Sequence, residues 1–178
     1  MTQEHAWYEE LRRRYRPEVV RLLLIGDSPP DPRDAGRRYF YAPTLSQYDI
    51  LYRGVSAALY SSAAGFDVRE KVTNLLRLRD DGVWLVDAVE HPVNAKTKSE
   101  RRRAIRENVD GLVARCRAVD PTVGVIICHG PVFDATVAPL RRAGVRVLHD
   151  VALPFPLGNM RAEFVSGTRA TLTAAGWW

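Results

Sequence analysis

The chain has 178 residues, 46% of them hydrophobic, which predicts one domain with a sizeable core. Its 26 basic and 21 acidic residues leave a formal charge of +5, dominated by arginine, and that balance favours an anionic partner such as nucleic acid. No apolar run reaches the roughly 18 residues needed to cross a membrane, so no membrane-spanning segment and no membrane partner are expected.

The amino-terminal stretch MTQEHAWYEELRRRYRPE is charged and lacks an apolar signal region, so a cytoplasmic protein is expected. Residues 3–15 put Trp7, Leu11 and Tyr15 on one helical face, and Pro17 ends that helix. From Val19 to Pro30 the chain reads VVRLLLIGDSPP, an apolar run suited to a strand buried on both faces. Gly26, Asp27, Ser28 and two prolines break it. Asp27 and Ser28 thus fall at the carboxyl end of a strand, where open α/β sheets hold ligands; the plainer alternative is a turn cap.

A loop over 29–45 follows, rich in proline, glycine and arginine and centred on Arg37, Arg38, Tyr39, Phe40 and Tyr41. Helical spacing returns over 46–62, through Tyr48, Leu51, Tyr52, Val55 and Leu59, and again over 67–79. Val83 to Val89 is the second strand and carries Asp87 near its carboxyl end. The basic loop HPVNAKTKSERRR leads into one long helix reaching about Val119. The third strand, Thr122 to Cys128, stops at His129-Gly130; a helix over 131–143 and a fourth strand from Val145 to about Leu148 come next. LPFPLGNMR then precedes a last helix from Glu163 to Ala175. Strands alternating with helices imply parallel pairing through βαβ crossovers, hence a three-layer α/β/α sandwich around a four-stranded parallel sheet. Cys116 and Cys128 both lie in apolar segments and read as core residues; two cysteines are too few for an iron–sulfur cluster or an all-cysteine zinc site, so no metal or cofactor is expected.

Two segments, Gly26-Asp27-Ser28-Pro29-Pro30 and Leu153-Pro154-Phe155-Pro156-Leu157-Gly158, resemble the uracil-DNA glycosylase superfamily. Its members carry a Gly-x-x-Pro motif after the first strand and a His-Pro-Ser-Pro-Leu-Ser type motif after the last. Arg161 stands where many also have an arginine, and the order of elements matches across nearly the whole chain. The resemblance implies a uracil-DNA glycosylase-like fold and a monomeric DNA-repair hydrolase that flips a base from DNA and cuts its N-glycosidic bond. Asp27 would position or activate water, with Ser28 assisting. Gly26 and Pro29 would shape the pocket, and Phe40 or Tyr39 would stack on the base unless both pack on the core. Asp87 falls where the superfamily commonly has a base-reading asparagine. A carboxylate accepts from an exocyclic amine but does not donate to a carbonyl, so a base other than plain uracil is expected; a turn cap is the alternative. Leu157 matches the wedge that fills the gap in the stack, and Asn159 and Arg161 would hold the DNA backbone at a helix start. Lys96, Lys98 and Arg101 to Arg103 could extend a basic track.

The motifs also depart from the superfamily. In Gly-Gln-Asp-Pro-Tyr-His enzymes the water-activating aspartate sits two residues after the glycine, a slot held here by Ser28; Asp27 takes the slot of the glutamate in the iron–sulfur members. The histidine that stabilises the departing base is replaced by Leu153, leaving His129 or His91 to reach the pocket. Two further readings follow from these gaps: a nucleotide- or DNA-binding module that keeps the pocket without hydrolysis, and a hydrolase of small nucleotides.

Overall fold

The computed structural model describes residues 6–31, 39–93 and 95–178, with the side chains of 6–8 left aside. The expected Trp7 contact and the Arg37-Arg38 pair therefore lie outside the described residues. Helix α1 (Ala6–Arg14) precedes strand β1 (Leu22–Gly26); then come α2 (Ile50–Tyr60), α3 (Lys71–Asp80), β2 (Val83–Asp87), α4 (Lys98–Glu107), α5 (Val109–Val119), β3 (Gly124–Ile127), α6 (Gly130–Arg142) and α7 (Arg161–Ala174). The three strands form one parallel sheet in the order β2-β1-β3.

Alternation along the strands builds two cores. Leu22, Leu24, Val83, Leu85 and Ile126 face one side, where they pack with α2, α3, α7 and residues 39–42. Leu23, Ile25, Val86, Val125 and Ile127 face the other, against α4, α5 and α6. All five β1 residues are buried, which is why its sequence is a continuous apolar run rather than an alternating one. The outer edge of β2 is covered from residue 41: the Tyr41 hydroxyl accepts from the Leu85 amide at 2.6 Å and lies 3.2 Å from the Leu85 carbonyl as its donor. That contact occupies backbone groups an edge strand would otherwise leave open.

Three expectations are corrected. The sheet has three strands among the described residues, not four. Residues 145–148 make a single parallel bridge, Val125 to Val147, and then leave the edge. The next β3 amide, that of Ile127, donates instead to His149 Nε2 at 3.0 Å, while His149 Nδ1 donates to the Val151 carbonyl at 2.8 Å. A buried imidazole, kept neutral as burial lowers its pKa, replaces a strand carbonyl there. Second, the long helix ending near Val119 is two helices. Asn108 joins them, its side-chain amide donating to the Ala104 carbonyl at 2.9 Å, a local bond that competes with helix continuation. Third, α2 starts at Ile50 rather than near 46. The Asp49 carboxylate accepts from the Ser46 amide at 2.8 Å, and Lys71 reaches the same carboxylate at 2.9 Å, holding residues 46–49 as a turn.

Candidate functional site

Strand parity decides where the candidate residues go. Leu23 and Ile25 face the α4–α6 layer, and Asp27, two residues on, continues to that side. Ile127 and His129 are related in the same way at the end of β3. The loops after β1 and β3 therefore deliver a carboxylate and an imidazole to one cleft at the carboxyl edge of the sheet. His129 Nδ1 lies 4.0 Å from Asp27 Oδ2. The cleft, of about 250 Å³, is lined by Asp27 and His129 from the strand ends, by Lys98, Arg101, Arg102 and Ile105 from α4, and by Pro131 from α6.

Asp27 is fixed through its backbone: its carbonyl accepts from the Val89 amide at 2.9 Å, and that of Gly26 from Ala88 at 3.0 Å. One carboxylate oxygen, Oδ2, is paired with Arg101; the other, Oδ1, is buried and has no hydrogen-bond partner among the described residues. His129 Nδ1 is likewise buried and, among the described residues, unpartnered. Burial lowers the His129 pKa, with Asp27 opposing that shift and Arg101 adding to it, so the ring is neutral at pH 7. A carboxylate oxygen and a ring nitrogen of two cleft-lining residues are thus buried without partners among the described residues, which is costly for packing alone.

The bend at 153–157 reaches the same edge. The Phe155 ring meets His129 edge to face with centroids 5.5 Å apart. Pro156 packs on α2 at Gly54, where a Cβ would lie 2.8 Å from the proline ring, so only glycine admits the bend this closely. The two proline-bearing segments of the sequence are consequently both tied to one end of the sheet. Leu157 follows with 57% of its surface exposed, and Asn159 and Arg161 are exposed at the start of α7. Leu153, in the slot of the superfamily's histidine, is buried against Gly167. His91 is exposed beyond β2 and does not line the cleft. Ser28 and Pro29 extend the β1 turn, Pro29 buried and Ser28 half-buried.

No model of a known protein family matches the sequence, and no curated protein is significantly similar to it. The assignment of roles therefore rests on geometry. Among the described residues there is no cluster of three metal-ligating side chains, and no helix is long and apolar enough to cross a membrane.

The remaining sequence candidates sit on the opposite face of the sheet. Asp87 has the parity of Leu85 and is 5% exposed. Its Oδ2 accepts from Arg12 at 3.0 Å, and Arg12 Nε also donates to the Tyr39 hydroxyl at 3.1 Å. Burial pushes the Asp87 carboxyl up to about 6, against the pull of Arg12. Gly26 lies directly beside it; a Cβ there would stand 2.8 Å from Asp87 Oδ1. Tyr39 and Phe40, 3% and 9% exposed, are core residues: Phe40 packs edge-on against Tyr41 and Tyr52. Neither ring, nor Asp87, lines the cleft that holds Asp27. Arg12 is the residue that sequence reasoning missed here. Its only signal was a place among several arginines on an amphipathic helix, and nothing there marks the one that points inward.

Proposed function

We propose that the chain is a DNA glycosylase, divergent from the uracil-DNA glycosylase superfamily it resembles. It hydrolyses the N-glycosidic bond of a damaged or modified base turned out of the helix. The observation carrying this reading is the convergence of Asp27, with one buried unpartnered oxygen, and neutral His129 in a single cleft rimmed by cations.

In this reading the Asp27 carboxylate orients water against the anomeric carbon and takes its proton as the new C–O bond forms. The base leaves with the electron pair of the broken C–N bond. A His129 ring N–H placed against the leaving base stabilises the charge it gains, worth roughly 10²–10³ in rate for one such donor. His129 thereby takes the task of the motif histidine that Leu153 replaces. Leu157 enters the vacated stack, and Asn159 and Arg161 hold the backbone next to it. With Tyr39, Phe40 and Asp87 in the core, we assign the face against which the base rests to Phe155, whose ring meets His129 edge to face at the rim of the cleft.

The test is release of base from oligonucleotides carrying uracil, hypoxanthine, alkylated or hypermodified bases, scored as alkali-labile abasic sites. Release from at least one substrate, abolished by Asp27→Asn and lowered about 10²-fold by His129→Ala, supports the assignment. Release that survives Asp27→Asn overturns it. A binding module without hydrolysis is the second reading. It is favoured by the pairing of Asp27 with Arg101, which occupies one of the two carboxylate oxygens that would hold water. Tight binding of the same oligonucleotides with no abasic product would establish that alternative.

A further inference from the structure

We propose that the α4 side of the cleft is a phosphate subsite, in which Lys98 and Arg102 bind a nucleotide phosphate and draw Arg101 away from Asp27. This deepens the glycosylase reading and rests on it for the role of Asp27, though the phosphate site itself stands apart from any bond cleavage.

Helix α4 presents Lys98, Arg101, Arg102 and Ile105 to the cleft, the i, i+3, i+4, i+7 spacing of one helical face. The acids of that helix are occupied elsewhere. Glu100 is taken up by the cap at Thr97, accepting from its amide at 2.8 Å and its hydroxyl at 2.7 Å. Glu107 pairs with Arg103 at 2.6 Å. Among the described residues Lys98 and Arg102 have no acidic partner, so two cations face a concave surface whose only carboxylate is already paired. Helix α6 adds to this. It is 13 residues long, begins at the cleft with Gly130-Pro131, and its N-cap His129 makes no side-chain capping bond. Nothing lies within 4 Å of the space a Cβ would take at Gly130, so an oxyanion has room at the positive end of the helix.

Such a group would compete with Asp27 for Arg101, because a phosphate accepts from a guanidinium through two oxygens as well as a carboxylate does. Arg101 then moves to the phosphate, and Asp27 Oδ2 is freed to accept from water only when a phosphorylated substrate is present. The chemistry recognised is a nucleoside phosphate ester, supplied either by the phosphodiester of a polynucleotide or by the terminal phosphate of a free nucleotide.

Calorimetric titration separates these sources, using thymidine 5′-monophosphate, the dinucleoside phosphodiester TpT and unphosphorylated thymidine. Both phosphate esters are expected to bind at least tenfold more tightly than thymidine and to shift the His129 ring signals in ¹H–¹⁵N spectra. Lys98→Gln with Arg102→Gln abolishes that preference, while Arg69→Gln with Arg79→Gln, an equal change of charge elsewhere, leaves it within twofold. For a single-stranded oligonucleotide, the first pair also lowers the slope of log K against log salt by about 1.4. Equal binding of thymidine and the phosphate esters, or a preference untouched by the Lys98/Arg102 pair, overturns the subsite. Binding of the monophosphate without TpT keeps the subsite but counts against a polynucleotide substrate. Phosphate binding with no base release from any oligonucleotide keeps the subsite and removes the glycosylase reading. Base release with unchanged KM in the Lys98/Arg102 pair does the reverse.

Discussion

Asp27 and Asp87 end neighbouring parallel strands and are offset by a single position, since Gly26 rather than Asp27 lies in register with Asp87. That offset sends them to opposite faces of the sheet and gives them opposite characters. Around Asp87 the carboxylate is buried and Oδ2 is held by Arg12, which also reaches the Tyr39 hydroxyl. Around Asp27, among the described residues, a carboxylate oxygen and a histidine nitrogen are buried without partners, and Lys98 and Arg102 stand on the cleft without an acidic partner. A buried acid held by an ion pair inside the core is part of the fold. One whose partners are missing is where a ligand completes the set.

Breaking the Asp87 side should cost the most stability. Arg12→Leu strands a buried carboxylate and is expected to lower the unfolding free energy by about 3–5 kcal/mol, while Arg12→Leu with Asp87→Leu recovers most of the loss. Urea denaturation of the two variants decides this; a single variant within about 1 kcal/mol of wild type would mean Asp87 is not held by Arg12. Asp27→Asn is expected to behave oppositely, with base release reduced by about 10²–10⁴ and stability altered by less than about 1 kcal/mol. Gly26→Ala drives a methyl into Asp87 Oδ1 and should cost about 1–3 kcal/mol in the same denaturation assay, with the Asp27 cleft kept.

The pH dependence is smaller and differs between the two ends of the sheet. The Asp87 carboxyl is raised from 3.8 to about 6, so the folded protein holds its proton over that interval. Its contribution to stability is largest at the acid end and is lost as pH rises through about 6. His149 is lowered from 6.5 by burial, and its neutral form accepts from the Ile127 amide. That contribution is complete above about 6.5 and is lost as pH falls below it. Relative to His149→Gln, whose amide oxygen can still accept from Ile127, wild type is therefore expected to lose stability on going from pH 6.5 to 5. Thermal melting across that range checks the difference, and parallel curves would contradict it. Smallest of all, Leu157→Ala should change stability by less than about 0.5 kcal/mol yet weaken duplex binding several-fold, measured by fluorescence anisotropy.

Much of the frame was legible in the sequence because it rests on local pattern. Apolar runs ending in Gly26-Asp27, Asp87 and Cys128-His129 mark three strands with polar carboxyl ends, and the helical spacings between them require parallel crossovers. The failures have a common origin in partners distant along the chain. Val145 to Leu148 reads as a strand, but a strand needs a run of neighbours to bond, and His149 supplies the next acceptor itself. Tyr39, Phe40 and Asp87 belong with the right chemistry for a base pocket, but Arg12, 75 residues from Asp87, draws the acid into a structural pair.

The sequence alone thus determined the alternation of strands and helices, the positive charge and the placement of acids and histidines at strand ends. These follow from periodicity and composition, which are properties of short stretches. Only the tertiary structure decided which acid faces the cleft and which is neutralised in the core. A one-residue change in strand register reverses the side to which each side chain points, and a buried charge keeps or loses its availability according to which distant group reaches it.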